Sequence, residues 1–330
     1  MTFALLIGFG VSFGQTVESS NSSCNQYETL SDEVLRAAIN QKNNGKFRLN
    51  TAAINLLEST DNLIGDCANL VKNRLSIKLA LGELLILRNE LEKAEKIISK
   101  FPVELLEDNK KYQSEYKLLR ALLFSSKGNN KKAILLAGES LELFIENRNP
   151  KGAAKTLWLL GSIYEDNRQG ETAINYYKRA VRVGELKNFS GEYILESILH
   201  IGNVSYQNKD YANALKYYKL GQEKAIKSSV TRLIPFSYYH LGKYYFDVEK
   251  NSEKALENLS NGMKAVDSLK LNSYFIAPII LQKMGIVHYK SNNRKMAIKY
   301  FTEAIESAER NNQKRLIPIA YKHLTELKNN

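Results

Sequence analysis

The sequence predicts an all-α solenoid of about six helical hairpins closed by a C-terminal capping helix. The first observation is a recurrence of small residues at intervals of 39, 40, 41, 40 and 43, at Gly82, Ala121, Gly161, Gly202, Gly242 and Gly285. The second is an alanine that follows each of these positions after 12 or 13 residues. The third is composition: five prolines in 330 residues and few alternating strand patterns favour helix throughout. Self-similarity at such a period is typical of repeat architectures.

The N-terminal residues predict export. Residues 1–14 form an apolar run, too short to span a bilayer, that ends in the small residues Ser12 and Gly14. This pattern is typical of a signal peptide cleaved before Gln15, which places the mature chain in the periplasm or envelope. No Lys or Arg precedes the run, so an upstream start or an uncleaved segment stays open. Residues 15–25 are polar and predict a flexible lead-in, and no later stretch predicts a membrane span.

The two cysteines, Cys24 and Cys67, lie 43 residues apart, about one repeat. Each precedes a predicted helix, so a mobile lead-in would let Cys24 reach Cys67 in the neighbouring repeat. A disulfide is one hypothesis, and two free thiols are the other. A lipid anchor at Cys24 is not expected, because nothing apolar leads directly into it.

The predicted solenoid occupies residues 26–330. Residues 26–60 predict a degenerate first repeat, two helices around residues 42–45 with no glycine where they cross. Each later unit predicts two helices of about 15 residues joined by a short polar turn. These turns are expected at 127–131, 166–170, 207–210, 249–252 and 291–294. Residues 314–328 predict a lone helix that covers the open end of the last repeat, as solenoids require for solubility.

The most regular unit is centred on Gly161 and Ala173. Both residues are small where two helices of a hairpin cross, while Leu157, Leu160 and Tyr177 fill the surrounding space. The order Leu157, Leu160-Gly161, Tyr164, Ala173 and Tyr177 resembles the tetratricopeptide repeat. The 40-residue period is similar to the long-repeat variant of kinesin light chains and MalT-like arrays, and to exported tetratricopeptide proteins of Bacteroidetes-type bacteria.

This resemblance implies a right-handed superhelix with the first helix of each hairpin on the concave face. Helical spacing from each glycine then predicts which side chains line a concave groove. The predicted groove residues are Trp158, His200, Asn203, Tyr206, Tyr239, His240, Lys243, Phe246, Lys283, Tyr289, Lys290 and Lys322. Lysines alternating with aromatic rings suit an extended acidic peptide or a peptide carboxylate. The alternative interpretation is that the rings belong to the repeat core and the lysines are solvated.

The net charge of +12 belongs mostly to the C-terminal half. Residues 205–330 contain 21 Lys and Arg against 11 Asp and Glu, and the first 204 residues contain 26 against 24. A solvated surface is one interpretation, and an acidic protein, an anionic glycan or an anionic membrane is the alternative partner. Nucleic acid is not expected as a partner, because no helix-turn-helix, zinc-finger or RNA-binding motif accompanies the charge.

The sequence contains no motif for catalysis. Nucleophile elbows, His-Glu-x-x-His, phosphate loops and Cys-x-x-Cys are all missing, and Glu165-Asp166 lies beside a polar turn and is expected to be solvated. Neither an enzyme nor a cofactor is expected. His200, His240 and His323 recur once per repeat, but units about 10 Å apart are too distant to share a metal ion. These histidines are expected either at the edge of the core or facing a ligand, and His288 within the core.

Taken together, these features predict a non-catalytic protein–protein interaction scaffold that binds a protein or an extended peptide in a concave, basic and aromatic groove. The alternative is a sensor array of a signalling system, a histidine kinase or a transcription regulator, whose output module is separate or missing. The sequence does not predict an oligomeric state.

Overall fold

The fold is an all-α solenoid, as predicted. The structure is a computed structural model that describes residues 20–43, 51–65, 67, 70–101, 109–228, 230–269, 275–310 and 313–329. The predicted signal peptide, residues 1–14, lies outside them. The α-helices in these ranges are α1 Ser20–Asn43, α2 Thr51–Leu63, α3 Val71–Leu87, α4 Leu91–Ser99, α5 Lys110–Ser126, α6 Asn130–Glu146, α7 Pro150–Asp166, α8 Gly170–Leu186, α9 Glu192–Gln207, α10 Tyr211–Lys227, α11 Ile234–Asp247, α12 Ser252–Ser268, α13 Ile276–Lys290, α14 Arg294–Arg310 and α15 Ile317–Asn329.

The helices pack in consecutive pairs. The six predicted hairpins are α3 with α4, α5 with α6, α7 with α8, α9 with α10, α11 with α12 and α13 with α14. The predicted degenerate repeat is α1 with α2, and α15 packs on α14 after a 3-10 turn at residues 314–316. First helices also contact first helices of the next unit, α3 with α5, α5 with α7, α7 with α9 and α11 with α13, so they lie side by side in an inner layer.

The small residues lie where the two helices of a hairpin cross. A Cβ atom on Gly161 would lie 2.6 Å from the ring of Tyr177, and one on Gly202 or Gly285 would lie 2.7 Å from Tyr218 or Phe301. Real Cβ atoms do not approach other atoms so closely. Only glycine therefore lets these rings pack under the first helix, where Tyr177 and Phe301 are fully buried.

The turns inside the hairpins have a shared geometry. Each of the five predicted turns contains one residue with a left-handed backbone, with φ between 57° and 76°, namely Gly128, Arg168, Lys209, Lys250 and Asn292. This conformation ends a helix by turning the chain away from its axis. An asparagine or aspartate then caps several of the following helices. The Asn129 side chain, for example, accepts a hydrogen bond from the backbone N–H of Lys132.

A disulfide joins Cys24 in α1 to Cys67 before α3, with their Cα atoms 5.8 Å apart. It is the pairing that the sequence left open. It also bears on the expected lead-in at 15–25, because α1 begins at Ser20 and residues 20–25 are helical. The helical array thus starts earlier than predicted, since the disulfide and the burial of Cys24 tie this segment to the second unit. None of the described helices is both long and apolar enough to cross a bilayer.

Candidate functional site

Two adjoining cavities lie against the inner layer of first helices. The smaller, of about 270 Å³, lies among α3, α7, α9 and α11, and the larger, of about 740 Å³, lies among α3, α5, α7 and the start of α9. Both are lined by Glu83, Leu122, Glu192 and Tyr193. Their volumes fall near or within the range of ligand pockets. The first helices, which the sequence predicted to line a groove, therefore enclose two spaces of ligand size.

A contact among Glu83, Lys155 and Tyr193, here called the Glu83 bridge, lies on the wall that the two cavities share. The Tyr193 hydroxyl donates a hydrogen bond to Glu83 Oε1 at 3.2 Å, and Lys155 Nζ lies 2.7 Å from Glu83 Oε2. The Lys155 ammonium also lies 5.4 Å from the centre of the Tyr193 ring. The bridge joins α3 to α9, which are 110 residues apart in sequence. The inner layer is therefore curved enough for units far apart in the chain to touch.

Arg232 supplies the buried positive charge of the smaller cavity. Its guanidinium contacts carboxylates of Glu192 and Glu196, the latter at 2.6 Å. The arginine side chain is only 6% exposed, so these ion pairs operate in a low-dielectric setting and removal of either partner would leave a buried charge. They hold the first two turns of α9 against the 3-10 turn at residues 231–233, which precedes α11.

His200 and Glu165 form an ion pair at the same inner surface. His200 Nδ1 lies 2.8 Å from Glu165 Oε2, which also accepts a 2.7 Å hydrogen bond from the Tyr177 hydroxyl. Burial alone would lower the pKa of His200, but the hydrogen bond and charge of Glu165 outweigh it and raise the pKa. Burial alone would raise the pKa of Glu165, and His200 and Tyr177 reverse that to a net lowering. The prediction that Glu165 is solvated is wrong, since its side chain is 16% exposed.

His240 occupies the equivalent position one repeat later and has the opposite character. Its ring stacks on Tyr218 with centroids 5.1 Å apart, and Tyr218 donates its hydroxyl hydrogen bond to Asn203 instead of a carboxylate. Burial lowers the pKa of His240 to about 3, and the nearby Lys243 contributes in the same direction. His240 is thus neutral where His200 is paired with an acid.

Ring stacking explains why histidine recurs once per repeat. His200 stacks on Tyr177, His240 on Tyr218 and His323 on Phe301, in each case with centroids 5.1 Å apart. The ring beneath is the one that fills the space left by the crossing glycine. Among the described residues, no three His, Cys, Asp or Glu side chains are grouped as metal ligands.

The C-terminal part of the inner surface contains an aromatic and charged cluster. Lys243 Nζ lies 4.3 Å from the centre of the Tyr206 ring, and the Tyr206 hydroxyl donates to Asp247 Oδ2 at 3.1 Å. Lys283 Nζ lies 2.7 Å from Asp247 Oδ1 and 4.9 Å from the centre of the Phe246 ring. The alternative interpretation, in which the lysines are solvated, is wrong for Lys283, because it is paired with Asp247 and its side chain is only 13% exposed.

The structure divides the predicted groove residues into two sets. Trp158, His200, Asn203 and His240 line the smaller cavity together. The remaining eight lie outside both cavities, namely Tyr206, Tyr239, Lys243, Phe246, Lys283, Tyr289, Lys290 and Lys322. Of these, Lys290 and Lys322 are exposed. Tyr289 contacts His323, and Tyr239 contacts His240.

Sequence reasoning missed the residues contributed by the first turns of the inner helices. These residues lie one to three helical turns before the glycine of their units, namely Glu192, Tyr193, Glu196 and Arg232. The spacing from the glycine was used only for positions closer to it. A charged or aromatic residue at the start of consecutive first helices is the signal that could have indicated them.

Comparison with known proteins agrees with this architecture. A family model described as Soluble NSF attachment protein, SNAP, matches residues 85–247, and one described as Tetratricopeptide repeat matches residues 280–311. The second match covers the α13–α14 hairpin. The chain is a tetratricopeptide-type helical repeat protein. Among curated proteins, none matches its sequence.

Several solved structures share the fold of this tetratricopeptide-type protein at low sequence identity. A Rap protein complexed with Competence and Sporulation Factor is 12% identical, with a TM-score of 0.63 over 94% of this chain and 87% of that chain. The quorum sensor NprR from B. thuringiensis, in its apo form, is 13% identical, with a TM-score of 0.61 over 90% and 80%. NprR in complex with its cognate peptide NprX is 15% identical, with a TM-score of 0.53 over 92% of this chain and 84% of that chain. A tetratricopeptide repeat protein from Parabacteroides merdae is 14% identical, with a TM-score of 0.52 over 88% of this chain and 98% of that chain.

Proposed function

We propose that this protein is a non-catalytic scaffold that binds an extended segment of another protein, or a peptide, along its concave face. The observation that supports this most directly is the pair of adjoining cavities at the inner layer, which share four lining residues. Concave, mostly apolar sites with a few convergent polar groups are where ligands bind. A segment that occupied both cavities would contact at least four repeats.

Two polar atoms on residues of the smaller cavity favour a ligand that can hydrogen-bond. Trp158 Nε1 and His240 Nδ1 are buried and have no hydrogen-bond partner within the described part of the chain. Proteins leave few buried polar atoms unpaired. A carbonyl or hydroxyl group of a bound peptide is the kind of partner that these atoms lack.

The solved relatives give independent support for a bound peptide. One Rap structure contains Competence and Sporulation Factor, and one NprR structure contains its cognate peptide. The shared fold supports the same mode of binding here. The low identities leave the chemistry of the segment to be inferred from this chain's own residues.

The C-terminal part of the concave face favours an acidic stretch in the bound segment. Lys290 and Lys322 are exposed, and Lys243 lies on the Tyr206 ring, where burial lowers its pKa, although Asp247 opposes this effect. A carboxylate near Lys243 would gain a partner without breaking an existing ion pair. Lys283 is not expected to contribute, since Asp247 already neutralises it.

Capture of the partner from native cell extract tests this proposal. Immobilised Lys290→Glu/Lys322→Glu protein should retain less partner than wild type, because the exposed positive charge near the C-terminus is reversed. The matched control is Lys178→Glu/Lys219→Glu, which reverses two exposed lysines on the second helices α8 and α10. Equal capture by all three proteins would contradict an acidic contact at this face.

A sensor array is the second candidate function, and one comparison favours it, since NprR is a quorum sensor of the same fold. In that case the bound segment would be a signal, and its binding would alter a second surface that contacts a kinase or regulator. Hydrogen exchange measured with and without ligand separates the candidates. A scaffold shows protection at the concave face alone, whereas a sensor also shows a change on the second helices.

We also propose that the protein works in an oxidising compartment, exported to the periplasm or envelope. The Cys24–Cys67 disulfide supports this, because such bonds persist outside the reducing cytosol. Cell fractionation tests it, and recovery of the protein only from the cytosol would contradict it.

A further inference from the structure

Glu115 is a partly buried carboxylate on the wall of the larger cavity. It lies in α5 and lines the cavity together with residues of α3, α7 and α9. Within the described residues, it makes no hydrogen bond and no ion pair, unlike Glu83, Glu165 and Glu192. Buried and partly buried carboxylates are normally paired, since desolvation of an unpaired charge costs free energy. Glu115 is thus a carboxylate without a direct ion-pair partner among the described residues, on the wall of a ligand-sized space.

The cations near Glu115 are either engaged elsewhere or solvated. Lys155 lies 2.7 Å from Glu83 Oε2. Lys111 and Lys151 are exposed at the rim of the cavity. Burial raises the pKa of Glu115, and although Lys111 and Lys155 oppose this, they do not cancel it. The lysines of the chain therefore do not occupy the position next to the Glu115 carboxylate where a further cation would bind.

The part of the cavity wall formed by leucines of α3 and α5 is apolar. Leu79, Leu118 and Leu119 are buried there, and Leu122 is shared with the smaller cavity. Lys and Arg side chains bury their aliphatic stems along apolar surface and keep the charged head at a polar group. A leucine-lined wall with one unpaired carboxylate has this combination of surfaces.

We propose that the larger cavity is a subsite for a Lys or Arg side chain of the bound segment, with Glu115 as the residue that selects it. The aliphatic stem would pack on the leucines of α3 and α5, and the cationic head would pair with the Glu115 carboxylate. This inference rests on the proposed function. It adds that the segment contains a basic residue flanked by apolar ones, in addition to the acidic stretch expected near the C-terminus.

A matched peptide array tests the subsite. The probes are ten-residue synthetic peptides, acetylated and amidated, that differ only at a central position between leucines, where they contain Lys, Arg, norleucine or Glu. Binding is measured by fluorescence anisotropy. The Lys and Arg peptides should bind at least about tenfold more tightly than the norleucine peptide, because a hydrogen bond to a charged group adds that much affinity.

Three variants locate the effect. Glu115→Gln, which keeps the shape of the side chain, should remove the preference for Lys and Arg and leave norleucine binding unchanged. Glu115→Lys should reverse the preference in favour of the Glu peptide. Glu142→Gln, on the exposed surface of α6, should behave as wild type. Thermal unfolding checks that all three remain folded.

The outcomes separate the two proposals. Peptides that bind without any preference for a cation, or that weaken equally with Glu115→Gln, would overturn the Glu115 subsite and leave the scaffold proposal standing. Failure of every peptide to bind, to wild type and variants alike, would count against both.

Discussion

His200 Nδ1 lies 2.8 Å from Glu165 Oε2, whereas His240, the equivalent residue one repeat later, stacks on Tyr218 with no carboxylate at its Nδ1. The same position in two consecutive repeats therefore holds a histidine that gains a proton more readily and one that resists it. The cause is the neighbour four residues after the previous glycine, which is Glu165 in one repeat and Tyr206 in the next.

The pKa values of the two histidines should be shifted in opposite directions from that of free histidine. The pKa of His200 is raised above its ordinary 6.5, so its stabilising pair with Glu165 is complete below pH 6.5 and is lost as pH rises through the folded pKa. The pKa of His240 is lowered to about 3, so its burial costs stability as pH falls from 6.5 toward 3. NMR titration of the imidazole resonances measures both. A pKa of 6.5 or lower for His200 would contradict the ion pair.

Replacement of the crossing glycine should destabilise the fold. Gly161→Ala places a Cβ atom 2.6 Å from the Tyr177 ring, and such overpacking costs about 1–3 kcal/mol. The control is Gly138→Ala in α6, where no atom lies within 4 Å of the added Cβ and helix propensity predicts a gain of about 0.5–1 kcal/mol. Urea unfolding measures both free energies. Equal effects of the two variants would show that the crossing is not tightly packed.

The Lys283–Asp247 pair should contribute to stability and not to partner binding. Lys283→Glu would place two carboxylates together inside the cluster, so we expect a loss of about 1–3 kcal/mol. The charge-swapped variant Lys283→Asp/Asp247→Lys should recover part of this loss, and Lys290→Glu, at an exposed position, should lose less than about 0.5 kcal/mol. Chemical unfolding of wild type and the three variants measures these free energies. A charge-swapped variant no more stable than Lys283→Glu would contradict the pair.

The disulfide should be complete and stabilising. Thiol titration of the denatured, unreduced protein should find no free thiol, because Cys24 and Cys67 are bonded. Cys24→Ser/Cys67→Ser should lose roughly 4 kcal/mol in the chain-entropy model, given the separation of 43 residues. Two titratable thiols per chain would contradict the bond.

Local features of the fold could be predicted from the sequence because their causes are local. The spacing of Gly161, Ala173 and Tyr177 defines one helix crossing, and each polar turn lies between two apolar helices. The same spacing placed Trp158 and His200 on the inner surface, where they line the smaller cavity.

The Glu83 bridge and the larger cavity could not be predicted in this way. Glu83 and Tyr193 meet only because small rotations between successive repeats add up to a tight curve. The spacing of residues within one repeat does not predict the total rotation over several repeats. Lys283 shows the same limit on a smaller scale. Its position on a first helix was correct, but its ion-pair partner is Asp247, 36 residues away, which the sequence pattern did not single out.

Site-specific photo-crosslinking in living cells tests the central claim of concave binding most directly. A benzoylphenylalanine at position 158, beside the smaller cavity, is compared with one at position 186, where Leu186 is 71% exposed on the second helix α8. Concave binding predicts a discrete partner adduct from position 158 and none from position 186. An adduct from position 186 with none from position 158 would contradict it.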